Sequence, residues 1–136
     1  MEPGVIVGIG TDIVDVWRIK RMSAAERERF VRKNLSAEEI SLLPDENPET
    51  FIAGRYAAKE ALAKALNFRG FSFTAVTIMN DGNGRPVFRD ADALVRNRDP
   101  RETCAFHLSI SHNSDHAVAF VIIERILEKS KSSSWI

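Results

Sequence analysis

Phe51-Ile52-Ala53-Gly54-Arg55-Tyr56-Ala57-Ala58-Lys59-Glu60-Ala61-Leu62-Ala63-Lys64-Ala65-Leu66 is the stretch around which the remaining chain is arranged. It is dense in alanine, the residue least costly to place in a helix. A start signal precedes it: Asn47 is a candidate N-cap, Pro48 suits the first helical position, and Glu49 favours the positive terminus. Phe51, Ala58, Leu62 and Ala65 recur at helical spacing, as do Ile52, Tyr56 and Ala63, so much of the helix surface is predicted to be buried. Arg55, Lys59, Glu60 and Lys64 nevertheless lie within it, and buried charges are costly without partners. That conflict directs the search for chemistry to this helix.

On its amino-terminal side, residues 5–14 are rich in β-branched side chains and read as a strand. Gly8 and Gly10 interrupt it just before Asp12, which marks a bulge or a close approach by another backbone or a ligand. Asp12 is either a cap for the next helix or a functional carboxylate. Short helices are predicted over 15–22 and from Ser23 to Lys33, and Ser36 with Glu39 forms a capping box for a third. Beyond the central helix, which should end near Asn67, residues 73–79 read as a strand. The turn cluster Asn80-Asp81-Gly82-Asn83-Gly84 follows, and then a returning strand from Arg85. A short helix is expected within 90–98. Residues 105–111 alternate, with Phe106, Leu108 and Ile110 on one face and His107, Ser109 and Ser111 on the other. With 116–123 they make the clearest hairpin in the chain. The fold class is α+β, a small antiparallel sheet packed against a long central helix and shorter helices.

The 136 residues predict one domain, over residues 1–126, with 127–136 a low-complexity mobile tail. No apolar run approaches the roughly 18 residues a membrane span needs, and no signal peptide is evident. A single cysteine, Cys104, excludes an intrachain disulfide and suits a reducing cytoplasm. The net charge is zero, but between Trp17 and Asn34 seven basic residues (Arg18, Lys20, Arg21, Arg27, Arg29, Arg32, Lys33) face two acidic ones (Glu26, Glu28). Such a patch is either a solvated helix face or a docking surface for an acidic partner.

Glu60 and Lys64, four residues apart, form either an ordinary helix ion pair or part of a metal–phosphate site. In the second case the acid holds a cation and the lysine meets phosphate oxygens, with Arg55 a further phosphate contact. Asp12 would add a carboxylate from another element, and a few carboxylates plus substrate phosphates is the usual setting for Mg2+. His107, His112 and His116 lack cysteine partners and zinc-type spacing. Ser109 and Ser111 beside His112 lack a nucleophile elbow, and the turn at Asn83-Gly84 is not a P-loop.

Four blocks occur together and in order: Gly8-Ile9-Gly10-Thr11-Asp12-Ile13-Val14, Gly54-Arg55-Tyr56-Ala57-Ala58-Lys59-Glu60-Ala61, Asn83-Gly84-Arg85-Pro86 and Ser109-Ile110-Ser111-His112. In that combination the chain resembles the holo-acyl-carrier-protein synthases, short homotrimeric phosphopantetheinyl transferases, over about residues 5–125. The resemblance implies a 4′-phosphopantetheinyl transferase-like fold. It implies Mg2+-dependent transfer of 4′-phosphopantetheine from coenzyme A to a serine of apo-acyl carrier protein, releasing adenosine 3′,5′-bisphosphate and supporting fatty acid biosynthesis. Asp12 and Glu60 match the metal-binding acids, and Asp12, Glu60 and Lys64 the catalytic set. Arg55, Lys64, His112, Arg85 and Pro86 match coenzyme A-binding positions. Arg18 and Met22 match the carrier-docking helix, with Arg29 a further contact, and active sites form where two subunits meet. Residues 67–71 should lie near the nucleotide. The chain departs from the family pattern by one extra residue between Met22 and Phe30. A nucleotide hydrolase would use the same acids and lysine but has no need of the basic patch. A basic module for RNA would need a stacking platform, and only Trp17 and Phe30 lie near the patch. The expected partners are therefore coenzyme A and a carrier protein, without nucleic acid or membrane.

Overall fold

A computed structural model describes residues 4–127. The segment expected to be mobile, 127–136, lies outside the described residues except for Leu127. The elements run β1 (Gly4–Asp15), α1 (Val16–Lys20), α2 (Ala24–Asn34), α3 (Ala37–Ser41), α4 (Pro48–Leu66), a 3-10 turn (Phe73–Ala75), β2 (Thr77–Asn80), β3 (Pro86–Arg89), α5 (Asp92–Arg96), β4 (Cys104–His112) and β5 (His116–Ile126). Three strands form an antiparallel sheet in the order β1-β5-β4, and β2 and β3 form a separate hairpin. This is the expected α+β arrangement.

Helix α4 lies across the sheet. Its small residues Ala53, Ala57, Ala58, Ala61 and Ala65 are buried, and β5 turns Ala117, Ala119, Val121 and Ile123 inward to meet them. The two glycines of β1 make the closest approach possible. A Cβ on Gly10 would lie 1.9 Å from the Ala61 carbonyl oxygen, and one on Gly8 would lie 2.1 Å from that of Ala65. Both glycines are therefore required by helix–strand contact. This contact fixes where the next inward-facing residue of β1, Asp12, meets the helix.

The helix termini follow the local sequence with one exception. Ser23 and Ser36 both form complete capping boxes, with Glu26 and Glu39, and Asp15 caps α1 by accepting from the Trp17 amide at 2.9 Å. Asn47 does occupy the N-cap of α4, but in a left-handed conformation and without a side-chain bond. Pro48 at the first position has no amide to be capped there. Asn67 ends the helix, also left-handed, its amide reaching back to Ala63 and Lys64.

The strand expected over 73–79 begins late. Ser72 caps a 3-10 turn by accepting from the Thr74 amide at 3.3 Å, and the Phe73 carbonyl accepts from the Lys59 ammonium at 2.7 Å. With that carbonyl committed to a side chain, ladder pairing starts only at Thr77. Lys59 itself is fully buried, bonded to the carbonyls of Asn34 (2.9 Å) and Phe73 and paired with the equally buried Glu39 carboxylate. Glu39 also accepts from the Ser36 amide at 2.8 Å and the Ile78 amide at 3.0 Å. One carboxylate thus caps α3, neutralises α4 and anchors β2.

Candidate active site

Where β1 crosses α4, Lys64 donates to the Asp12 carboxylate at 3.1 Å and to the Thr11 carbonyl at 2.9 Å. Glu60, one turn earlier on the helix, is not paired with Lys64. Its carboxylate accepts both terminal nitrogens of Arg69, at 2.9 and 2.6 Å, from the loop after α4. The structure thus brings Asp12 and Lys64 into contact, with Glu60 beside them. It replaces the simple helix ion pair with two bridges to other elements. Side-chain exposure of the two acids is low, 17% for Asp12 and 16% for Glu60. A cavity of about 390 Å³ opens against Glu60, lined by Lys33, Tyr56, Arg69, Phe71 and Ser72 among others. Its cationic lining suits an anionic ligand.

Tyr56 precedes Glu60 by four residues and shares its face. Partial burial raises its phenol pKa, and the neighbouring Glu60 charge and a hydrogen bond with Glu60 push the same way, with Arg18 opposing. Arg18, from α1, lies over the Tyr56 ring at 5.3 Å and over Phe30 at 5.5 Å. The matched docking residue thus stands directly beside the Glu60 cavity. Met22 lines an adjacent apolar groove of about 590 Å³ with Val31, Ile40, Leu43 and Ile52. Arg29 is exposed on α2, whereas Arg27 of the same basic run is committed to Glu49 at 3.2 Å.

The remaining predicted ligand-binding residues form a second group. Arg55 is buried, stacked on Phe51 at 4.3 Å, and donates to the Asn80 side-chain oxygen at 2.9 Å. Burial lowers its pKa, against the opposing Glu39 charge. Asn80 in turn donates to the Gly84 carbonyl at 2.9 Å, tying Arg55 to the turn that carries Arg85 and Pro86. The Arg55 Nε is buried without a partner. Arg85 and Pro86 line a cavity of about 470 Å³ against Phe106, Leu108 and Ile110 of β4. His112 ends β4, two residues beyond Ile110, which packs at Gly54. Five positions separate Arg55 from Glu60, a rotation of about 140° round the helix, so the two groups occupy different sides of α4. The Arg55 guanidinium is turned toward Asn80 rather than toward the acids.

The donor chemistry of the first group fits a hard divalent cation. Asp12 and Glu60 offer carboxylate oxygens only, as Mg2+ prefers. Among the described residues no three His, Cys, Asp or Glu side chains converge as a metal cluster. Two protein carboxylates leave room for the waters and phosphate oxygens that Mg2+ usually keeps. Arg69 falls in the segment 67–71 expected near the nucleotide, though its pairing with Glu60 was not foreseen, and Tyr56 and Asn80 contact these groups without having been singled out from the sequence. Tyr56 carried a usable signal in its four-residue spacing to Glu60, whereas the partners of Arg69 and Asn80 are nine and four to twenty-five residues away.

Comparison with known proteins gives the same family from three directions. Residues 8–121 match the model of the 4′-phosphopantetheinyl transferase superfamily. The holo-[acyl-carrier-protein] synthase of Geobacillus sp. (strain WCH70) is 41% identical over 127 residues, covering 89% of this chain and 98% of that protein. The crystal structure of the Neisseria meningitidis holo-[acyl-carrier-protein] synthase superposes with a TM-score of 0.77 at 36% identity, covering 92% of this chain and all of that one. The Helicobacter pylori synthase, solved in complex with coenzyme A, gives 0.72 at 30% identity, over 85% of this chain and 98% of that one. The chain therefore belongs to the holo-acyl-carrier-protein synthase family of the 4′-phosphopantetheinyl transferase superfamily.

Proposed function

We propose that the chain transfers 4′-phosphopantetheine from coenzyme A to a serine of an apo-acyl carrier protein, with Mg2+ held by Asp12 and Glu60. The observation that carries this is the Asp12–Lys64 bridge one helical turn from Glu60, which itself lines a cavity with Lys33 and Arg69. The relatives named above act on acyl carrier protein, and the Helicobacter pylori structure holds coenzyme A.

In this reading the serine oxygen attacks the β-phosphorus of coenzyme A, a new P–O bond forms, and the anhydride P–O bond to adenosine 3′,5′-bisphosphate breaks. Bound Mg2+ supplies charge neutralisation on the anhydride. Glu60 accepts the serine proton, and Lys64 stabilises the charge that grows on the departing phosphate. Lys64 is held for this by the Thr11 carbonyl and Asp12. Arg55, Asn80, Arg85, Pro86 and His112 belong to the coenzyme A site.

Those residues lie on a different side of α4 from the acids, so a complete site needs a second copy to bring one group opposite the other. The outer face of the sheet supports such an assembly. Ile9, Ile13, Val118 and Phe120 are all exposed, and register places Ile13 opposite Val118 and Ile9 opposite Ile122. An apolar sheet face of that kind is an interaction surface, and a homotrimer would cover it. The catalytic unit is taken as residues 1–126. No helix among the described residues is long and apolar enough to cross a membrane, and the lone, half-buried Cys104 suits the cytoplasm.

Incubation with coenzyme A, Mg2+ and an apo-acyl carrier protein tests the function. A mass gain of one phosphopantetheine on the carrier is expected. Adenosine 3′,5′-bisphosphate released without that gain would identify a hydrolase instead.

A further inference from the structure

Each of the two acids is already paired with a cation of the same chain. Lys64 on Asp12 is anchored a second time by the Thr11 carbonyl, so its place is fixed. Arg69 on Glu60 is held differently. Its side chain is 61% exposed against 16% for the acid, and both its bonds fall on one oxygen, Oε2. Among the described residues Glu60 is its sole hydrogen-bond partner. The loop beneath it is anchored independently: Phe68 and Phe71 contact at 6.0 Å, Phe71 and Phe73 at 5.4 Å, and Arg98 lies over Phe68 at 5.4 Å. The stem is therefore fixed while the guanidinium is free to swing.

A divalent cation on this carboxylate competes with the guanidinium for its negative charge and repels it at close range. We infer that Arg69 is a phosphate-binding residue held in reserve on Glu60: a divalent cation displaces its guanidinium, which then takes an anhydride phosphate of coenzyme A in the adjoining cavity. Arg69 and Glu60 both line this cavity, and Lys33 and Ser72 line it as further candidate phosphate donors. A guanidinium fork matches phosphate oxygens as well as it matches a carboxylate. The inference rests on the proposed role of Asp12 and Glu60 as metal ligands. It adds a coupling: the metal releases Arg69, and by reciprocity the nucleotide, by engaging Arg69, frees Glu60 for the metal.

The test is binding, measured by calorimetry on the full chain without turnover. With Mn2+ alone, Arg69→Ala should bind about two- to fivefold tighter than wild type, the factor set by loss of a competing, largely exposed ion pair. With Mg2+ present, the same variant should bind coenzyme A about tenfold or more weaker, the loss of a charged hydrogen-bonded contact. Arg69→Lys, which keeps the charge and loses the fork, should fall between the two for coenzyme A. It also serves as the second variant if Arg69→Ala is poorly folded. Unchanged or weaker Mn2+ binding in both variants, or unchanged coenzyme A binding, overturns the inference even when wild type binds Mn2+. If wild type binds no Mn2+, or Glu60→Gln binds it equally well, the metal site itself is wrong and the inference falls with it.

Discussion

Lys59 and Glu39 have no solvent contact, and three acceptors meet the ammonium while three donors meet the carboxylate. Burial lowers the Lys59 pKa and Glu39 opposes that shift. Removing the charge of one partner strands the other in the core, which typically costs about 3–5 kcal/mol. Glu39→Gln should therefore lose that much stability in urea unfolding, and a loss below about 1 kcal/mol would show that the pair is not charged in the folded protein. Tyr56 offers a second residue-scale test because it is the single tyrosine of the chain. Its phenol is held above the ordinary value of 10.0 by burial and by Glu60. A folded pKa raised in this way contributes stability that is intact below pH 10 and is lost as pH climbs through the folded pKa. The near-ultraviolet phenolate titration should have its midpoint above 10.0, fall in Glu60→Gln and rise in Arg18→Ala. A midpoint insensitive to Glu60 would show that the two side chains do not interact. In Tyr56→Phe the tyrosine part of the alkaline loss of stability should disappear.

At the scale of elements, the seam between β1 and α4 has no room for a methyl group. Gly10→Ala would press a Cβ into the Ala61 carbonyl at 1.9 Å, against backbone that has nowhere to move. Overpacking of this kind costs about 1–3 kcal/mol or more. Its functional effect should exceed its stability effect, because Asp12 is carried two residues along the same strand. Transfer activity of Gly10→Ala should drop by about tenfold or more at temperatures where it remains folded, as expected of a misplaced catalytic group. Activity equal to wild type in the folded variant would show that the seam does not position Asp12. Gly82, by contrast, has nothing within 4 Å of a Cβ, and Gly82→Ala serves as the silent control.

At the scale of the whole molecule, two surfaces test the proposed partners. Ile13, 65% exposed, and Phe120 lie on the bare side of the sheet. If copies of the chain assemble there, Ile13→Glu with Phe120→Glu should yield monomers in sedimentation and abolish transfer, although neither residue belongs to the candidate active site. A double variant that stays active as a monomer would refute the shared-site assembly. On the other surface, Arg18 stands between the basic run and Tyr56. Arg18→Glu should raise the KM for the acidic carrier protein far more than that for coenzyme A, and added salt should mimic it by slowing association. Equal effects on both substrates would remove Arg18 from carrier docking.

The chain by itself determined what depends on neighbours in sequence: the long alanine helix, the Ser23 cap and the Ser36–Glu39 capping box, the closing hairpin and the α+β class. Those features are set by local propensity and by apolar period, both of which are written within a few residues. The blocks around Asp12, Glu60 and Arg85, each contiguous, made the family resemblance legible in the chain alone, and the family match over residues 8–121 agrees with it. Only the tertiary structure decided how the charges pair. The partner of Lys59 is twenty residues away, that of Lys64 fifty-two and that of Arg69 nine. No period or spacing rule reaches across such gaps. The same holds for residues 73–79, whose β-branched pattern favours a strand until the Phe73 carbonyl is claimed by Lys59. Buried Lys59 and the more exposed Lys64 and Arg69 alike take whichever partner the packing of α4 brings within reach, and that choice exists only once the chain has folded.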